Sequence, residues 1–152
     1  MTPNDHPGPR AIPIDLSFDQ LTDGRAAEES YQITDEIYRA FLVASRDVNP
    51  LHVDDDFARA AGFDEKVSHG ALLNAFVSHF VGMVMPGRRS LLLSTDIRYV
   101  SPCHVGDVIQ IRGKIAQRVE SQSVVVLTCE LENQSRGRLA ARARVQVKVN
   151  RG

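Results

Sequence analysis

The segment from Gly70 to Met85 constrains the fold more than any other part of the chain. It reads GALLNAFVSHFVGMVM, is apolar almost all the way round, and stops at Pro86-Gly87. A helix that is hydrophobic on every side is buried. A membrane span needs about 20 mainly apolar residues, and this segment is shorter and carries polar groups. The sequence therefore predicts a buried central helix.

Four strand-like segments follow this helix, separated by turn signals, at 90–100, 108–119, 123–133 and 138–149. In the last of them, one set of side chains is apolar and the alternating set is polar: Ala141, Ala143, Val145, Val147 and Val149 against Arg142, Arg144, Gln146 and Lys148. This alternation predicts a strand with one buried and one solvated face. Hairpin-length loops favour antiparallel pairing, so we predict an α+β fold in which an antiparallel sheet wraps around a long central helix.

Shorter elements are predicted before the central helix: a strand at 26–33, a helix from about Thr34 to Ser45, and a short helix at 54–61. The pair Asn49-Pro50 separates the two helices, because the residue before a proline is pushed out of the helical region. The loop between the helices carries Asp47 and His52.

Length and charge limit the classes of function. A chain of 152 residues is the size of one domain, and we predict a flexible proline-rich arm at 1–13, with no signal peptide, before a single domain at 14–152. The net charge of −1 is not typical of a protein that binds nucleic acid or an anionic membrane. Cys103 and Cys129 lack zinc spacing, so we expect reduced structural thiols in a cytoplasmic protein.

Three stretches resemble the MaoC-like, (R)-specific hydratases: SRDVNPLHVD at 45–54, VSHGALL at 67–73 and VSPCHVGD at 100–107. The resemblance implies a hot-dog fold and a homodimer. It also implies a lyase that reversibly hydrates trans-2-enoyl-CoA, or the acyl-carrier-protein thioester, to the (R)-3-hydroxyacyl thioester. No metal or other cofactor is implied.

Hydration of an enoyl thioester needs a base for the water, a proton for the α-carbon, and stabilisation of charge on the thioester oxygen. We assign the general base to Asp47, and the resemblance implies that His52 binds the same water. Gly70 begins the central helix, where unpaired amides favour negative charge, so its N–H is the candidate oxyanion donor. The alternative is that Gly70 has no catalytic role and only begins the helix.

Two residues are candidates for supporting roles. Asn49 is expected to fix the loop through side-chain to backbone hydrogen bonds. The resemblance places Ser78 beside the catalytic aspartate, whereas its alternative is a bond back to the carbonyl of Asn74. His69 and His79 are interpreted as core or helix-cap histidines. Because no third ligand stands at metal spacing, we expect no metal site.

Some features leave other functions open. Arg46 precedes Asp47 where relatives often have glycine or a small acidic residue. A nearby cation lowers the pKa of a carboxylate and so weakens it as a base. Two alternative functions stay open. One is a hot-dog thioesterase that uses the same helix end, and the other is an acyl-CoA-binding partner subunit without turnover. The basic stripe Arg142, Arg144 and Lys148 is interpreted as a solvated sheet face, with a contact to CoA phosphates as its alternative.

Overall fold

The computed structural model describes residues 9–151, and these form one antiparallel sheet with helices packed against it. The helices are α1 (Asp35–Ser45), α2 (Pro50–Val53), α3 (Asp55–Ala60) and α4 (Gly70–His79). The strands are β1 (Ala26–Gln32), β2 (Ser90–Tyr99), β3 (Val108–Val119), β4 (Val124–Asn133) and β5 (Arg138–Val149). The strand order is β1-β3-β4-β5-β2, and all neighbouring strands are antiparallel. The predicted α+β architecture is confirmed.

The alternation predicted for β5 is also confirmed. Its apolar residues from Ala141 to Val149 are buried, whereas the alternating Arg142, Arg144, Gln146 and Lys148 are exposed. The buried face meets α4 in one core cluster with β3 and β4. The exposed face of the sheet carries the basic stripe into solvent, as predicted.

The central helix differs from the prediction in two respects. It is α-helical only to His79 and continues as a π-helical turn at Phe80–Val84. It is not buried all round, because one stripe of its surface is exposed: Ala71, Asn74, Ala75 and Ser78. Within residues 9–151, no helix is long and apolar enough to cross a membrane.

A recess in the sheet receives the end of this central helix. Gly113, Cys129 and Ala143 lie opposite one another on β3, β4 and β5. A Cβ atom on Gly113 would stand 2.5 Å from the ring of the fully buried Phe80. Small side chains in this row therefore allow the helix to pack close to the sheet.

The N-terminal segment reaches the body of the protein at His79. The Nε2–H of His79 donates to the carbonyl of Arg10 at 3.0 Å, and its Nδ1 accepts from the Tyr31 hydroxyl at 3.0 Å. Residues 1–8 of the predicted arm lie outside the described residues. The flexibility of the arm and the single domain at 14–152 stay predictions.

Both cysteines are buried free thiols, and we expect them to react slowly in the folded protein. Burial raises the pKa of Cys103 to about 11 and that of Cys129 to about 12, from an ordinary value of 9.0. The reactive species is the thiolate, so at pH 8 we expect modification by Ellman's reagent to be at least ~100-fold slower than in denaturant.

Denatured protein provides the control, since both thiols then react at the ordinary rate. Fast modification of either thiol in the native protein would contradict the prediction. The folded protein holds the thiol protons of Cys103 and Cys129 more tightly than the unfolded chain does. The two protonated thiols therefore contribute to stability fully below pH 9, and this contribution decreases as the pH rises towards 11 and 12.

Candidate active site

Asp47 lies in the loop between α1 and α2 and is ordered by contacts close to it in sequence. Its N–H donates to Ser45 Oγ at 3.2 Å, and its carboxylate Oδ1 accepts from the N–H of Asn49 at 3.2 Å. The side chain is 51% exposed. The carboxylate is therefore oriented by the loop and still open to a reactant.

His52 faces Asp47 with a nitrogen that has a free lone pair. Its Nδ1 lies 2.7 Å from the carbonyl oxygen of Val67. A carbonyl only accepts, so Nδ1 carries a hydrogen, and in the neutral ring the free lone pair is then on Nε2. Nε2 stands 3.8 Å from Asp47 Oδ2, which is too long for a hydrogen bond but short enough for one water molecule to contact both atoms.

The backbone around His52 differs from the predicted loop, because His52 lies in the short helix α2. Asn49 caps this helix, because its side-chain oxygen accepts the N–H of Leu51 at 3.0 Å. This is a side-chain to backbone hydrogen bond of the type expected for a residue that fixes the loop. Tyr38 of α1 donates its hydroxyl to the carbonyl of His52. Burial raises the pKa of Tyr38, so the hydroxyl remains a donor at neutral pH.

Gly70 is the first residue of α4, where backbone N–H groups lack acceptors within the helix. The ring of Tyr99, from the end of β2, packs against it. A Cβ atom at Gly70 would lie 3.1 Å from this ring, tighter than ordinary contact. Glycine therefore allows both the aromatic ring and a ligand to approach the start of the helix.

A cavity of about 330 Å³ lies next to these groups; Asp47 is not part of its wall, but it stands 3.8 Å from His52, which is. His52 and Gly70 share its wall with apolar side chains, among them Leu73, Tyr99 and Val100. A larger depression of about 480 Å³ lies on the outer face of the sheet between charged side chains, and His52 and Gly70 do not line it. The smaller cavity is thus the candidate active site, because it combines an apolar wall with polar groups at one end.

His69 is a residue of this site that sequence reasoning missed. It is 3% exposed, and its ring stacks on His52 with centroids 3.8 Å apart. Its Nε2 lies 2.8 Å from the backbone oxygen of Asp47 and 3.9 Å from the carboxylate Oδ2. Asp47 and His69 are 22 residues apart, so only the position of His69 next to Gly70 could have indicated the contact.

The same arrangement corrects one argument against a metal. The sequence offered no third ligand, yet donor atoms of Asp47, His52 and His69 all lie within 4.8 Å of one another. In this geometry, however, the Nε2 of His69 must carry a hydrogen because it faces a carbonyl oxygen. A protonated imidazole nitrogen cannot ligate a metal, so the three groups do not form a metal site as they stand.

Ser78 lies on the exposed stripe of α4, eight residues after Gly70. Neither of its expected hydrogen bonds is present among residues 9–151, whether to Asp47 or back to the carbonyl of Asn74. Its supporting role therefore stays a prediction.

Arg46, which ends α1, adopts a left-handed backbone conformation with φ 56°. No ion pair joins it to Asp47. An L-residue in this conformation is strained by about 1–2 kcal/mol, whereas glycine is not. Glycine also makes the unfolded chain more flexible, so we expect Arg46→Gly to stabilise the fold by about 0.5–1 kcal/mol, which raises Tm by a few degrees.

The matched control for this substitution is Arg46→Ala, which removes the charge and keeps the Cβ atom. Thermal unfolding of the two variants separates conformation from charge. An equal gain in both variants would show that the charge of Arg46, and not its backbone conformation, destabilises the protein.

Comparisons with known proteins agree with this geometry. The MaoC like domain family matches residues 19–134. An (R)-specific enoyl-CoA hydratase from Aeromonas caviae is 30% identical over 134 residues, which are 88% of this chain and 99% of that protein. The solved structure of the A. caviae (R)-hydratase involved in PHA biosynthesis has a TM-score of 0.79 at 30% identity, covering 86% of this chain and 98% of that one.

R-hydratase PhaJ1 from Pseudomonas aeruginosa has the same fold, with a TM-score of 0.83 at 23% identity over 91% of this chain and 88% of its own. The predicted hot-dog fold is therefore confirmed. The matched region includes the loop of Asp47 and His52, the start of α4 and the turn after β2. The chain belongs to the MaoC-like domain family.

Proposed function

We propose that the protein is a lyase that reversibly hydrates a trans-2-enoyl thioester to the (R)-3-hydroxyacyl thioester. The observation that carries this proposal is the juxtaposition of Asp47 Oδ2 and His52 Nε2, 3.8 Å apart, where His52 lines a cavity whose wall also includes Gly70. The hydratases and dehydratases among its relatives support the same reaction.

In this reaction one water molecule supplies both added groups. Asp47 takes a proton from the water while the lone pair of His52 Nε2 accepts its second hydrogen bond. The hydroxyl adds to C3, and the electrons of the C2–C3 double bond move towards the thioester carbonyl. The N–H of Gly70 stabilises the charge on that oxygen. The proton then passes from Asp47 to C2, so hydrogen and hydroxyl of the water are both accounted for.

The test mixes the purified protein with crotonyl-CoA and follows the ultraviolet absorbance of the conjugated thioester. We expect the absorbance to decrease and the product to be (R)-3-hydroxybutyryl-CoA. Longer, branched and carrier-protein-bound enoyl thioesters distinguish the carrier and the chain length. Release of free CoA would indicate a thioesterase, and tight binding without any reaction would indicate a partner subunit.

We also propose a homodimer formed through β2. This strand is at the edge of the sheet, where unpaired backbone groups favour addition of another strand. Leu91, Leu93 and Tyr99 on it are 58%, 50% and 48% exposed. A second copy that covers this edge would also close the cavity at Tyr99.

Light scattering checks the dimer. We expect a mass of twice 16.8 kDa for the wild type and a shift towards the monomer for the double variant Leu91→Lys, Leu93→Lys. A wild type that remains monomeric at micromolar concentration would contradict the proposal.

The two unpaired cysteines fit a reducing compartment, and we propose that the enzyme is cytoplasmic.

A further inference from the structure

His69 is the N-cap residue of α4, directly before Gly70, but its side chain makes no capping bond to the helix. Instead the ring turns towards the loop of Asp47 and packs between aromatic rings. The His52 ring stacks on it at 3.8 Å with an interplanar angle of 29°, and the Phe41 ring lies 5.1 Å away. A buried ring held in this way has a fixed orientation.

The hydrogen-bond partners of His69 determine its tautomer. Its Nε2 donates to the backbone oxygen of Asp47 at 2.8 Å, whereas its Nδ1 is buried without a hydrogen-bond partner. The backbone oxygen only accepts, so Nε2 carries a hydrogen, and a second hydrogen on Nδ1 would bury a positive charge and a donor without an acceptor, which is costly. The geometry therefore corresponds to the neutral tautomer with its hydrogen on Nε2.

The bond between His69 and Asp47 differs from the other hydrogen bonds of Asp47 in its span. The contacts with Ser45 and Asn49 join residues only two apart, so they shape the loop without tying it to the rest of the protein. The bond to His69 crosses 22 residues. It ties the loop to the start of α4, where Gly70 lies.

We propose that His69 is a positioning residue, whose Nε2–H holds the base Asp47 at a fixed place relative to the Gly70 amide. This inference rests on the proposed hydration, in which these two groups act on opposite ends of the same enoyl thioester. The effect passes through Asp47. A displacement of about 1 Å in a catalytic group lowers a rate by about 100-fold, which is the size of effect expected here.

Two variants separate the N–H donor from the ring. His69→Phe keeps an aromatic ring without a donor, and we expect it to lower kcat by about 100-fold while KM changes less than about 3-fold. His69→Gln places an amide N–H near the position of Nε2, and we expect it to recover kcat to within about 10-fold of the wild type.

The matched control is His79→Gln, a second histidine of α4 that bonds to Tyr31 and Arg10 outside the site, and its kcat is expected to be unchanged. Thermal unfolding of each variant identifies any loss caused by misfolding. If His69→Phe does not fold, His69→Gln decides: activity near that of the wild type supports the proposal, and a loss equal to that of an Asp47 variant overturns it.

Nitrogen-15 NMR of the imidazole rings gives a readout that does not depend on activity. We expect His69 as the Nε2–H tautomer; the Nδ1–H tautomer or an imidazolium would overturn the proposal. Wild-type hydration with an equally fast His69→Phe would overturn this inference alone. A wild type without hydration of any enoyl thioester would overturn the proposed function, and the present inference with it.

Discussion

Asp47→Asn is expected to lower kcat for hydration of crotonyl-CoA by about 1,000-fold, within the range that a general base contributes. Asparagine has the same shape and keeps an oxygen that can accept the N–H of Asn49, so the loop is expected to stay in place. What is lost is the ability to take a proton from water. Steady-state kinetics under saturating substrate measures the effect directly.

The control for this prediction is Asp56→Asn. Asp56 lies on α3, has a side chain 95% exposed and pairs with Arg59 at the surface, so its variant is expected to keep wild-type kcat. His52→Ala, which removes the lone pair that orients the water, is expected to act in the same direction as Asp47→Asn. An Asp47→Asn variant within tenfold of the wild type would remove Asp47 as the base.

Gly87→Ala is expected to have the largest effect on stability. Gly87 is buried with φ 91°, and an added Cβ atom would lie 2.0 Å from the carbonyl oxygen of Ile14. That oxygen accepts the N–H of Arg88 at 2.9 Å, so it cannot move away without breaking a backbone hydrogen bond. Backbone strain and the clash together are expected to cost about 3 kcal/mol.

Urea denaturation at constant protein concentration measures this loss, because stability would depend on concentration if the proposed dimer forms. Gly82→Ala is the matched control. It lies five residues earlier and has no positive φ, and outside its own helical turn no heavy atom of residues 9–151 lies within 4 Å of an added Cβ, so we expect a change below about 1 kcal/mol. Equal losses in both variants would show that the contact with Ile14 does not determine the effect.

The sequence was most informative where a local pattern determines the structure. The bounds of β3 and β5 agree with the prediction, because turn residues flank strands that alternate or are rich in β-branched residues. Helix α1 follows Thr34, whose hydroxyl accepts the N–H of Ile37 at 3.1 Å. The loop of Asp47 and His52 was identified through its resemblance to a family.

The parts that sequence did not predict depend on contacts between distant residues. The change to a π-helical turn at Phe80 accompanies its packing on Gly113, a contact set by the register of the sheet. His69 was interpreted as a core or helix-cap histidine because nothing local indicates that its ring meets His52. Single-sequence patterns contain no information about such pairings.

The cavity draws part of its apolar wall from a segment that is distant in sequence from its reactive groups. His52 and Gly70 come from one region of the chain, together with Leu73, whereas Tyr99 and Val100 come from the end of β2 and the residue after it, about thirty residues later. Selectivity for the acyl group can therefore change by substitution in the second region while the chemistry is preserved. A protein built in this way can diversify its substrates during evolution without first losing its reaction.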